Sequence, residues 1–137
     1  MSSSPDEMKK MAKDAMRFSH SPYSHKKIGA SIRLSNGKTY SGCNIENASY
    51  GGTVCAERVA IFKAFSENSS DVKITEVFVA SDEKDPWPPC GFCLQVLSEF
   101  ANPETNITLI NLADTQTQYT FKDLFPKAFK SDHLLKK

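Results

Sequence analysis

The chain has 137 residues, with 17 Lys and Arg against 16 Asp and Glu, for a net charge of +1. That length suits one domain with a single core, residues 1–137, and so even a charge balance excludes the basic footprint of a nucleic-acid binder, which leaves a small molecule as the expected partner. No apolar run approaches the ~20 residues that span a bilayer, and Met1-Ser2-Ser3-Ser4-Pro5 lacks the apolar centre of a secretory signal, so no membrane partner and a cytoplasmic location are expected.

From Ser4 to about Phe18 the periodicity predicts an amphipathic helix, with Met8, Met11, Ala12, Ala15 and Met16 recurring on one stripe. Ser4 is its expected cap, Pro5 suits the first helical position, and Glu7 completes a capping box with Ser4. The methionines are expected to pack in the core rather than to form a binding surface. After the break at His20-Ser21-Pro22-Tyr23, extended segments at Ile28–Leu34 and Lys38–Cys43 flank Asn36-Gly37, a strong hairpin signal. Asn44 and Glu46 then fall on a loop leading toward Cys55; taken alone, both read as turn and surface residues.

A second helix is expected from about Val54 to Ser66, with Cys55 at its start. Ile74–Ala80 predicts a buried strand, and Ser81–Pro88 a polar, proline-rich loop that delivers Cys90. A third helix follows from Gly91 to Phe100, turning Val96, Leu97 and Phe100 to the core, and further strands are expected at Ile107–Leu112 and Gln118–Phe121. Helices that alternate with strands give an α/β fold class, a three-layer α/β/α sandwich.

The chemistry concentrates in Cys55-Ala56-Glu57 and Pro89-Cys90-Gly91-Phe92-Cys93. With the N-terminal leader read as absent, Cys-x-x-Cys favours reduced thiols and metal over disulfides. Cys90 and Cys93, three apart, share one face of a helix's first turn, where the partial positive charge of the helix end steadies thiolates. Three thiolates from Cys55, Cys90 and Cys93 would leave the fourth tetrahedral position of zinc open for water, whereas structural sites close all four. Glu57, two positions beyond Cys55, points elsewhere around the helix yet can reach that water. Cys43, the fourth thiol, would close the site and make it structural, but it ends a strand. His20, His25 and His133 fall in no ligand-spaced motif and are expected away from the metal.

These residues, together with Ser21-Pro22-Tyr23-Ser24, Ile28-Gly29-Ala30, Gly42-Cys43-Asn44-Ile45-Glu46-Asn47-Ala48 and Leu124-Phe125-Pro126 through Phe129, resemble the cytidine deaminases over nearly the whole chain after the first helix. The resemblance implies a mixed five-stranded sheet whose last strand is antiparallel to its neighbour. It also implies one zinc per chain and hydrolysis of cytidine and deoxycytidine to uridine and deoxyuridine plus ammonia, in pyrimidine salvage. Glu57 would carry protons between water, N3 of cytosine and the departing amine. Asn44 and Glu46 would hold the ribose hydroxyls, Ala56 would touch the substrate, and Arg58 would donate to the thiolates. Phe129 would enter a neighbouring subunit's site, which implies a homotetramer.

Two positions depart from the family pattern. Leu94 stands where many relatives carry an arginine, so charge compensation falls to Arg58 and the helix dipoles. Lys26 stands where relatives place a phenylalanine beside the base. Rival readings are a deaminase of a related aminopyrimidine nucleoside, such as a blasticidin-type antibiotic, and a non-catalytic zinc-binding domain, against which Glu57 argues. A polynucleotide deaminase would want strand-binding surface that the composition does not supply.

Overall fold

A computed structural model describes residues 3–135. The Lys136-Lys137 end, expected as a solvated tail, lies outside the described residues. The first helix, α1 (Pro5–Ala15), is capped by Ser4, whose hydroxyl accepts the Glu7 N–H at 3.2 Å while the Glu7 carboxylate accepts the Ser4 N–H at 3.1 Å. The expected helix to Phe18 stops short: Met16–Phe18 tighten into a 3₁₀ turn, a common ending for an α-helix.

A hairpin follows, β1 (Ile28–Leu34) and β2 (Thr39–Cys43). Gly37 at its turn has φ +88°, the left-handed conformation that glycine adopts without steric cost. Then come α2 (Ala56–Phe65), β3 (Ile74–Ser81), α3 (Gly91–Phe100), β4 (Ala101–Asn111), β5 (Gln116–Thr120), and short helices α4 (Phe121–Leu124) and α5 (Ser131–Leu135). The sheet runs β2-β1-β3-β4-β5, parallel between β3 and β4 and antiparallel elsewhere. This is the expected mixed five-stranded sheet, and its last strand is antiparallel to β4.

The strand boundaries differ from expectation chiefly at β4 and β5. β4 begins at Ala101, six residues before the apolar Ile107–Leu112 run. Its polar start is held from the side, the Thr105 hydroxyl accepting the Asn102 N–H and donating to the Ile74 carbonyl. The last strand ends at Thr120 because Thr120 and Asp123 form a capping box that starts α4, so Phe121 is helical and buried.

Side chains alternate across the sheet with the period of two that strands impose. Ile32, Leu34, Val77, Val79, Ile107 and Leu109 face α2 and α3, where they meet Ala60, Ile61, Ala64 and Leu97. Phe78, Ala80 and Ile110 face the other way and meet Met8, Ala12 and Met16 of α1. Each fully buried Ile or Leu contributes about 1.5–3 kcal/mol of transfer free energy, so both layers are fixed mainly by apolar burial. One stripe of α2 against the sheet is small: Ala56, Ala60 and Ala64 repeat every four positions and are fully buried. Opposite them lies Gly42 of β2, where an added Cβ would come within 2.6 Å of the Ala60 nitrogen and 2.7 Å of the Ala56 carbonyl oxygen.

Candidate active site

Both thiol-bearing helices present their N-termini to one point. Cys55 is the N-cap of α2 and Cys90 the N-cap of α3, both with extended backbone and no side-chain cap. The caps leave helix-end N–H groups unpaired, a setting that favours negative charge. Cys55 and Cys90 sulfurs lie 3.6 Å apart, as do those of Cys90 and Cys93. Zinc–sulfur bonds of about 2.3 Å at tetrahedral angles place sulfurs about 3.8 Å from each other, close to these two spacings, and all three sulfurs lie within 4.8 Å of one another, so the donor set suits zinc. Among the described residues this trio is the one His, Cys, Asp or Glu group close enough to hold a metal ion. Cys43 and all three histidines lie outside it.

The thiols are unequal. Cys55 is held down to about 5, chiefly by the Cys93 thiol donating to it, with further help from Arg58 and Cys90. Cys93 is pushed up by that same hydrogen bond and by burial. An Arg58 Nη2–H points at the Cys55 sulfur at 3.6 Å and at the Thr53 carbonyl at 3.2 Å. Its guanidinium lies 5.5 Å from the centre of the Phe92 ring, so this cation beside the Cys55 thiol is itself fixed from two sides. Leu94 is partly buried and packs against the α2–α3 core layer.

Glu57 sits in the first turn of α2 and is 4% exposed. Burial, joined by the charge of Cys55 and opposed by its own backbone N–H, pushes its carboxyl up to about 7. A group balanced near neutrality can both take and give a proton.

A short backbone ladder delivers the Asn44–Glu46 loop to this centre. Ile45 and Val54 exchange both backbone hydrogen bonds, at 2.9 and 3.0 Å, directly before Cys55. On its other side the loop pairs with His20, which donates to the Asn44 carbonyl and accepts from the Glu46 N–H. Asn44 and Glu46 are buried, at 7% and 8% exposure, contrary to the surface character they have when taken alone. Asn44 Oδ1 accepts from the Ile28 N–H at 3.0 Å and from the Ser19 hydroxyl, while Nδ2 donates to the Lys26 carbonyl at 2.7 Å. The Glu46 carboxylate accepts the Tyr23 and Ser24 N–H groups at 3.1 Å each and the Ser24 hydroxyl. The Ser24 hydroxyl above all holds its carboxyl below the usual range.

Glu46 opens into a cleft of about 270 Å³ lined also by Tyr23, Ser24, Tyr50 and Thr53. The two tyrosine rings meet edge to face at 5.4 Å. Thr53 also accepts from Arg58, so the cleft adjoins the thiols. Tyr50 and Thr53 carry no motif that singles them out in the sequence. Ala56 is fully buried in the first turn of α2, beside the cluster.

Lys26 is not free. Its ammonium pairs with Glu83 at 2.8 Å and lies 5.6 Å from the centre of the Trp87 ring. Neither partner was legible in the sequence, because both lie on the loop after β3. Phe129 is 53% exposed, stacked on His133, and tied to α3 through its carbonyl, which accepts from Gln95 at 2.7 Å.

Comparison with known proteins agrees with this geometry. The family model for the cytidine and deoxycytidylate deaminase zinc-binding region matches residues 2–109. A cytidine deaminase from Halalkalibacterium halodurans is 42% identical over 125 residues, 91% of this chain and 93% of that protein. A probable cytidine deaminase from Dictyostelium discoideum is 39% identical over 92% of this chain and 84% of its own length. The crystal structure of cytidine deaminase from Burkholderia pseudomallei superposes with a TM-score of 0.86 at 34% identity, covering 93% of this chain and all of that one.

Proposed function

The chain belongs to the cytidine deaminase family, and from that membership we propose that it hydrolyses cytidine and deoxycytidine to uridine and deoxyuridine, releasing ammonia. The observation that carries the reading is a buried carboxyl, Glu57, in the first turn of the helix that Cys55 caps, beside three thiols grouped closely enough to hold zinc and leave a coordination position open. When bound, zinc supplies Lewis acidity, which lowers the pKa of a coordinated water from about 15.7 toward 7.

The protein's own groups do the rest. Glu57 takes a proton as the water oxygen bonds to C4 and delivers one to N3, which makes C4 electrophilic. It then passes a proton to the exocyclic amine as the C4–N bond breaks and ammonia leaves. Arg58 offsets part of the thiolates' charge through Cys55. At the sugar end, hydrogen-bond capacity divides the work. A carboxylate has about four acceptor positions and Glu46 uses three; a carboxamide has two donors and Asn44 uses one. Glu46 can therefore accept from one hydroxyl and Asn44 donate to one, which suits a ribose.

Lys26 spends its charge on Glu83, which favours a nucleoside over a nucleotide and leaves an anionic substrate no free cation at that position. A structural zinc domain finds no fourth thiol, since Cys43 lies apart. We further infer that residues 1–137 act as one domain, in the cytoplasm and in pyrimidine salvage, as a homotetramer in which Phe129 reaches a neighbour's site. A monomeric mass by light scattering would end that last part. The decisive assay is ammonia release from cytidine, deoxycytidine and cytidine monophosphate by zinc-loaded protein, repeated after chelation. Both nucleosides should turn over at least ~10-fold better than the monophosphate and fall to background without zinc. A preference for the monophosphate, or no ammonia from the zinc-loaded protein, would sink the proposal.

A further inference from the structure

Trp87 is the sole tryptophan of the chain. It stands three residues before Cys90, so the chain keeps their Cα atoms within about 11 Å. Pro86, Pro88 and Pro89 surround it. Prolines fix their own φ near −65° and press the preceding residue into extended conformations, so the Trp87 backbone is stiffened from both sides.

The loop is also fastened at its base. The buried Asn111 side chain donates to the Glu83 and Lys84 carbonyls at 3.0 Å each, and its oxygen accepts the Ala113 and Thr115 N–H groups. Lys26, across the gap, has its own backbone pinned by Asn44 at the carbonyl and by the Ser24 hydroxyl at the N–H. The Lys26–Glu83 pair therefore joins two anchored loops, and the ammonium lies against the Trp87 ring. Trp87 nevertheless stays 41% exposed. A large ring held this firmly, three residues from a thiol along the chain and still open to solvent, is a surface prepared for a flat ligand.

We propose that Trp87 is a specificity-determining residue that gives the pyrimidine its aromatic wall, set in place by the Lys26–Glu83 pair. The inference rests on the deaminase reading and deepens it: Lys26 has no ring to offer, and the loop after β3 supplies one instead. Lys26 and Glu83 are positioning residues, acting on the base through Trp87.

Because Trp87 is the one tryptophan, its emission reports on the wall directly, and uridine is the probe. Saturable quenching or shift of the emission by uridine is expected in the parent. Trp87→Ala should raise KM for cytidine about three- to tenfold with kcat within about twofold, the size of one lost aromatic contact, while Trp87→Phe should recover most of it. Glu83→Gln should shift the emission of the free protein and raise KM by less. Turnover of cytidine with an emission blind to uridine, and a KM indifferent to Trp87→Ala, would overturn the wall and leave the deaminase standing. Failure to release ammonia at all would remove both.

Discussion

The thiol centre and the substrate rim adjoin each other but are held by different means. Cys55, Cys90 and Cys93 take their places from two helix ends, and α2 and α3 are packed into one apolar layer. The rim is stitched by side chains across long gaps in sequence: Asn44 to Ile28, Glu46 to Ser24, Lys26 to Glu83, Asn111 to the loop after β3. A centre set by main chain and core fails as a whole. A rim set by separate polar contacts fails by degrees.

Breaking the centre should therefore produce the largest effect. Cys93 is fully buried, so Cys93→Ala removes a ligand that no neighbour can replace; zinc content by atomic absorption should fall to background together with activity, whereas Cys43→Ala should keep both. Zinc loss on Cys43→Ala would place the metal elsewhere. Glu57→Gln should come next. The amide keeps the size of the side chain but carries no proton, so zinc should stay bound while kcat drops by about 10⁴-fold or more, the upper end for a general acid–base group, since Glu57 serves several steps. Activity within tenfold of the parent would free Glu57 of that role.

At the rim, Glu46→Gln exchanges an acceptor of three hydrogen bonds for a group that turns its own N–H toward donors. Hydrogen bonds to a charged group are worth about 1.5–3 kcal/mol, so KM should rise roughly tenfold or more with kcat changed far less. An unaltered KM would detach Glu46 from the substrate. Because its carboxyl sits below the usual range, Glu46 contributes stability that is present at neutral pH and lost only as pH falls through that lowered value.

The division between centre and rim also decides what could be read from the chain. Local spacing encodes Cys90 and Cys93, and a cap followed by a carboxylate encodes Cys55 and Glu57, so both sites were visible before any fold was known. The hairpin was visible through Asn36-Gly37, and the α1 stripe through its period. The start of β4 was not, because Asn102, Pro103 and Glu104 lack alternation and Thr105 supplies the missing support from its side chain. Thr120 and Asp123 form the capping box that starts α4, and the expectation of a strand at Gln118–Phe121 took no account of it. Glu83, Trp87 and Tyr50 were hidden for another reason: each matters through a residue 27 or more positions away, and no window along the chain contains both partners.

One consequence follows from Gly42. The small face of α2 rests directly on it, at the level of the Ala56 carbonyl, one residue from both Cys55 and Glu57. The height of that helix above the sheet is thus gauged by a single hydrogen atom, and ligand and proton carrier ride on the helix together. A methyl group at this position would lift both by the same amount while Cys90 and Cys93 stayed behind on α3. The calibration of the catalytic centre therefore lies in a strand that carries no chemistry, at the one side chain that is not there.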